Sequence, residues 1–187
     1  MSEHFFEITD DLSISKRWYL QAPLRNSGKE IDPRIFTEGR KVNIKGQLRI
    51  PMRRQGLPLD VTFADFDMPV ISKEIGVLLE ELAPNNIQRI PISIESQQGK
   101  YEILNITTLR QCVNEQQSDI LWWTESDGRP DKVGQYRMVR RLIIDPSLVE
   151  GSEIFRVKGW EISIIVSQRI KDSLASRKVT GIQFRTV

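Results

Sequence analysis

Twice along this chain an apolar, β-prone stretch runs straight into a serine and then into an amphipathic segment. At the first copy Ser72 precedes Ile75, Leu78, Leu79 and Leu82. The spacing i, i+3, i+4, i+7 puts these four side chains on one face of a helix, and predicts a helix over 73–83 that Pro84 and Asn85-Asn86 end. A serine hydroxyl at the N-cap accepts a hydrogen bond from a first-turn N–H, and Glu74 suits the positive end of the helix dipole. At the second copy the run Ile162–Val166 meets Ser167, and Ile170 and Leu174 give the buried face of a helix over about 168–177. Ile87-Gln88 follows Ser72 at the same interval as Ile182-Gln183 follows Ser167. A helix with one apolar face must bury it against another layer, so both copies demand a sheet. The echo has two readings. One is a pseudo-symmetric core. The other is convergence, which is favoured because capping and amphipathicity alone demand most of the matched positions.

The remaining signals are β. Strands are expected at 4–9, near Trp18–Gln21, at 41–50, 61–66, 87–94, 101–110, 119–123, 135–144, 154–157 and 162–166, with a last one in GIQFRTV. Residues 14–40 are punctuated by Pro and Gly and read as irregular, and 51–60 is a loop broken by Pro51, Gly56 and Pro58. The expected fold is therefore α+β: a single domain over 1–187, mostly antiparallel sheet with two main amphipathic helices. Its N-terminal part, 1–60, is irregular and β-rich, and 61–187 forms the α+β core. A chain of 187 residues suits one well-packed core.

Chemistry-bearing sets are scarce. His4 is the sole histidine and Cys112 the sole cysteine. This disfavours Ser-His-Asp and Cys-His schemes, cannot furnish a zinc site, and leaves Cys112 as an inert small hydrophobe. Neither GxGxxG nor GxxxxGK[ST] occurs, and no acid-x-Lys pair of the restriction-nuclease kind is present. Asp60, Asp65 and Asp67 cluster locally, so a metal-dependent enzyme is one alternative. Arg49, Arg53 and Arg54, with Arg137, Arg140 and Arg141, make a nucleic-acid-binding accessory another, though no zinc-finger, zipper or RNP pattern accompanies them. The expectation is no catalytic residue, no metal and no cofactor.

The net charge of +2 is unevenly spread: residues 14–59 carry eleven basic and three acidic groups, and 60–81 six acids and one lysine. Two readings stand. The segments neutralise each other side by side, or one forms a charged face for a partner. The opening, Met1 to Ile8, is acidic without an apolar run, and no stretch reaches the length of a membrane span. With one cysteine, the expectation is a cytoplasmic protein that meets no membrane.

What remains suits protein recognition. The loop Thr124–Gly134 concentrates charge between two glycines, directly after Trp122 and Trp123. If 119–123 is a strand, one Trp faces the core and the other lies exposed or at an edge. Trp and Arg are over-represented at interface hot spots. The candidate binding residues are Trp122, Trp123, Asp127, Arg129, Asp131, Lys132, Tyr136 and Arg137.

The segments GQLRIPMRRQGLPLDVTFADFDMPVIS (46–72), WTESDGRPDKVGQYRMV (123–139) and IFRVKGWEISIIVSQRIKDSL with GIQFR (154–185) resemble a family of polymorphic-toxin immunity proteins typified by a myxobacterial member. The resemblance runs from Trp18 to Phe184. It implies an α+β protein without catalytic residues that binds and neutralises a cognate toxin. Many such toxins are nucleases, which makes a nuclease a plausible partner. The family carries over no established functional residue. Trp160 matches a family Trp position, and because it follows Gly159 and leads into a buried run, a structural role is expected there.

Overall fold

In the computed structural model, which describes residues 4–187, both serines cap. Ser72 Oγ accepts from the Ile75 N–H at 3.4 Å, and Ser167 Oγ from the Ile170 N–H at 3.3 Å. In chain order the elements are β1 (Phe5–Asp10), β2 (Tyr19–Leu20), β3 (Leu24–Arg25), β4 (Leu48–Ile50), β5 (Met52–Arg54), β6 (Val61–Ala64), β7 (Met68–Ser72), α1 (Lys73–Leu82), β8 (Ile87–Ile94), β9 (Tyr101–Ile106), β10 (Leu109–Arg110), β11 (Asp119–Trp122), β12 (Tyr136–Arg141), β13 (Ile154–Val157), β14 (Trp160–Ser167), α2 (Gln168–Ser176) and β15 (Ile182–Thr186). The fold is mixed, mostly sheet with two helices. One sheet has six strands in the order β3-β4-β8-β9-β7-β6, another has five in the order β10-β13-β14-β1-β15, and β2–β5 and β11–β12 pair separately. Pairing is antiparallel except at β4–β8 and β10–β13.

The two capped helices belong to the same kind of unit. β9 runs antiparallel to both β7 and β8, so these two are mutually parallel, with α1 as their crossover: a split β-α-β unit. β1 does the same for β14 and β15 across α2. The registers coincide. Ser72 faces Tyr101 and Ile87 faces Ile106 in the first unit, while Ser167 faces Phe5 and Ile182 faces Asp10 in the second. The sequence echo thus extends beyond two caps to a shared topology and register. The intervening strand hides this, because β9 follows β8 whereas β1 lies far upstream of β14.

Packing follows from this doubling. Between the two sheets, Ile71 and Leu104 of one meet Ile154, Ile164 and Val166 of the other, with Ile75, Leu79, Ile170 and Leu174 of the helices. The far face of the six-stranded sheet buries Ile50, Val70, Ile92 and Ile103 under Trp18 and Phe36. Trp18 is wholly buried and donates from Nε1 to Thr62 Oγ1 at 2.6 Å. The far face of the five-stranded sheet buries Phe5, Phe155 and Ile165 with Cys112 and Val139. Each such side chain contributes roughly 1.5–3 kcal/mol on burial. Cover on both faces explains why β7 and the latter part of β14 read as apolar runs rather than alternations. It also explains why β7 carries no period-2 signal. Gly181 closes the join between units: its φ is +97°, and a Cβ there would lie 1.9 Å from the Val61 carbonyl oxygen.

Several boundaries differ from the expectation. Of 41–50 only Leu48–Ile50 pairs as strand. At Val42 the side chain of Gln88 substitutes for a neighbouring strand, accepting from the Val42 N–H (3.0 Å) and donating to its carbonyl (2.9 Å). The stretch 101–110 breaks after Ile106, and Leu109–Arg110 crosses to lie beside β13. The expected strand 61–66 ends at Ala64 in a tight turn, and 135–144 shortens to Tyr136–Arg141.

Candidate partner-binding site

β11 and β12 form a ribbon outside both large sheets. It leans on the third core layer through Val139, Ile120 and Tyr136. Its register shifts at Asp119/Ile120 and again at Leu121/Trp122, irregularities of the kind that raise local twist. Leu121 and Met138 stand opposite one another, and both are exposed, 40% and 46%. Trp122 and Val133 are exposed beside them. A ribbon that exposes three apolar side chains, with a fourth on its loop, presents surface that its own core does not use.

The loop beyond the ribbon is held by its own side chains. Asp127 accepts from the Thr124 N–H and from its hydroxyl, each at 2.8 Å, and pairs with Arg137. The Thr124 N–H bond, then the hydroxyl bond, hold the Asp127 carboxyl below the usual carboxylate range. Arg129 and Asp131 form a two-pronged pair at 2.9 and 3.1 Å, and Asp131 is likewise lowered by it. The Trp123 N–H donates to the Gln135 carbonyl, and the Gly134 N–H to that of Trp123, both at 3.0 Å, so the loop closes on itself. Tyr136 Oη donates to Glu115 Oε1 at 2.6 Å, and burial, then Glu115, push the phenol upward.

Neither tryptophan is in the core, which corrects the strand-alternation reading. Trp122 ends β11 just past the bulge and stands edge-on to Tyr136, with centroids 4.9 Å apart. Trp123 lies beyond the strand, half-buried, with Lys132 Nζ 5.2 Å and the Arg137 guanidinium 4.9 Å from its ring centre. The bulge and the strand end break the two-residue period, so Ile120 and Val139 reach the core instead.

Two clefts flank Tyr136. One, of about 360 Å³, is walled by Arg34, Phe66, Trp123, Lys132, Tyr136 and Trp160. The other, of about 420 Å³, lies between Trp122, Tyr136, Glu115 and Lys158. The structure thus brings Trp123, Lys132 and Tyr136 to the first cleft and Trp122 and Tyr136 to the second, with Arg137 stacked on Trp123. Asp127, Arg129 and Asp131 line neither and brace the loop. Sequence reasoning missed Phe66 and Arg34. Phe66 gave one signal, falling out of phase in VTFADF; Arg34 gave none. Trp160 packs on the third core layer and also lines the first cleft, so the structural role assigned to it is half of what it does.

The acids suspected of holding metal are engaged separately. Asp60 Oδ2 accepts from the Thr180 N–H and hydroxyl (2.8 and 2.7 Å), while Asp65 accepts from Ala22 N–H and Arg53. No group of three His, Cys, Asp or Glu side chains among the described residues is disposed to share a metal. Cys112 is fully buried, and burial pushes its thiol up to about 11, far from a thiolate at neutral pH. What the arrangement offers is exposed apolar and aromatic surface on a braced frame, with arginines beside it.

The model of the immunity protein family Imm11 matches residues 3–187. The chain belongs to the immunity protein family. No curated protein sequence matches it. Membership covers the ribbon, its loop and both split units alike, so this Imm11 member carries the candidate surface as part of the family domain rather than as an added segment. No helix among its described residues is long and apolar enough to cross a membrane.

Proposed function

We propose that this Imm11 protein acts as a non-catalytic immunity protein of a polymorphic-toxin system, binding a cognate toxin one to one in the cytoplasm and blocking it by contact. The observation that carries this reading is the ribbon. In a chain of an immunity family, Leu121, Trp122 and Met138 are exposed on a two-stranded element, and Val133 on its connecting loop, which is locked by Asp127 and Arg129–Asp131. A braced aromatic and aliphatic patch on a strand that also carries Arg137, Arg140 and Arg141 has the make-up of an interface centre, where few anchors carry most of the affinity. Pre-ordering reduces what binding must still fix, and the surrounding charge speeds encounter with a complementary face.

The test is co-expression with the product of the neighbouring toxin gene. Growth rescue together with a stable one-to-one complex supports the reading. Failure of both removes it. Met138→Asp, on the exposed face of β12, is expected to abolish rescue while leaving the fold intact by circular dichroism.

A further inference from the structure

The turn between β6 and β7 holds two consecutive non-glycine residues, Phe66 and Asp67, in the left-handed region, φ 57° and 53°. Such backbone is costly for a residue with a side chain, and strain of this kind gathers where function needs it. Nothing in the core repays it here, since Phe66 is 53% exposed. What the turn achieves is to hold the Phe66 ring at the mouth of the first cleft, with the Arg34 guanidinium 4.0 Å from its centre. Trp123 on the opposite wall carries Lys132 in the same manner.

The cleft is thus entered between two cations, each resting on an aromatic face. Arg34 has only the exposed Asp32 as carboxylate partner, and Lys132 has none within salt-bridge distance among the described residues. Behind the wall lies a third cation. Arg156 is wholly buried, and its Nη1 donates to the carbonyls of Glu161 and Ile162, two residues that line the cleft. Its Nε and Nη2 have no partner among the described residues. The acids in the cleft are Asp67 and Glu161. Both offset the charge of Arg156, and Glu161 is further committed to the Gly159 N–H at 2.8 Å. Arg34, Lys132 and Arg156 set against Asp67 and Glu161 leave one cation in excess, and Lys132, the entrance cation with no carboxylate in salt-bridge range among the described residues, is the group left to carry it.

We infer that this cleft receives an acidic side chain of the bound toxin, its carboxylate seated between the Arg34–Phe66 and Lys132–Trp123 pairs. The inference rests on the immunity reading and extends the interface from the ribbon to the β6–β7 turn. A carboxylate is favoured over a cation because the Phe66 and Trp123 rings already carry cations of this chain. It is favoured over an apolar side chain because the entrance charges would then be buried unpaired. Charge-assisted bonds to Arg and Lys give such a contact both strength and register.

Calorimetry with the purified, inactivated product of the neighbouring toxin gene tests this, using wild type, R34E, K132E, Phe66→Gly and Met138→Asp. R34E and K132E are each expected to weaken binding at least about tenfold, and reversing a single toxin acid to lysine to restore the K132E complex. Phe66→Gly relieves the left-handed backbone, so it should raise the melting temperature of the free chain while weakening the complex. A merely structural turn would gain stability and keep its affinity. Wild-type affinity in R34E, K132E and Phe66→Gly, with binding lost in Met138→Asp, overturns the cleft and leaves the immunity reading standing. No binding by wild type overturns both. Binding of a short single-stranded RNA by wild type, lost in K132E and not displaced by the toxin, overturns the carboxylate in favour of a phosphate backbone.

Discussion

Tyr136 and Glu115 are joined across 2.6 Å, hydroxyl to carboxylate, and the bond ties β12 to the segment that precedes β11. It tethers the loop end of the ribbon, where Tyr136 faces Trp122, while Arg141 bonded to the Gln117 carbonyl holds the other end. Tyr136→Phe keeps the edge-on contact with Trp122 and removes only the hydroxyl. The expected loss is about 1 kcal/mol, read from chemical denaturation. The same bond sets an alkaline limit. The phenol is held above its usual value of 10.0 in the fold, so the unfolded chain releases that proton first. The stabilisation is complete below pH 10 and declines as pH rises through the raised folded value. Wild type should lose stability more steeply than Tyr136→Phe in that window.

The two helix caps are not equal. Ser72→Ala removes one cap bond, and a loss of about 1 kcal/mol is expected. Ser167 Oγ caps α2 and also donates to Glu153, which in turn pairs with Arg169 at 3.0 Å. Ser167→Ala should therefore be the more destabilising of the two. Equal melting temperatures for the two variants would show that the Glu153 contact contributes nothing.

Gly181 has no room for a methyl group. Its left-handed backbone and the Val61 carbonyl 1.9 Å from the missing Cβ both oppose one. Gly181→Ala is expected to cost on the order of 3 kcal/mol. The damage should concentrate where β15 meets β6, which hydrogen exchange of the Val61 and Asp11 amides would locate; both donate to this segment.

How much of this was legible beforehand divides along physical lines. The capped helices and the class were readable because a cap and a helical face are written within ten residues of each other. β7 was legible only as an apolar stretch before Ser72, without its bounds, since a strand covered on both faces loses the alternation that marks a half-buried one. The equivalence of the two units was visible only as a faint echo, because its third strand comes from opposite directions along the chain. In the site, the candidates between Trp122 and Arg137 come from composition, and the structure divides them into cleft walls and loop braces. Arg34 could not have been found. It reaches the cleft through the 3-10 turn Pro33–Phe36, placed by the packing of Phe36 rather than by any local pattern.

The loop should soften in acid before the core does. Asp127 is held ionised by Thr124 and Arg137, so its contribution is present above the usual carboxylate value of 3.8 and is lost as pH falls through the lowered folded value. Trp123 fluorescence should report the loosening of its stacked cations at a higher pH than far-ultraviolet circular dichroism reports unfolding. In Asp127→Asn the fluorescence change should already be present at neutral pH.

The pairing of β1 with β14 and β15 also has a consequence in time. Phe5–Asp10 leaves the ribosome more than 150 residues ahead of its partners in both neighbouring strands. The first split unit can assemble from a contiguous stretch while synthesis continues, and the second cannot close until β15 has emerged. A nascent chain therefore carries β1 unpaired while the intervening residues are made. The fold is complete only once β15 is in place, which sets a lag between the making of β1 and the first folded molecule.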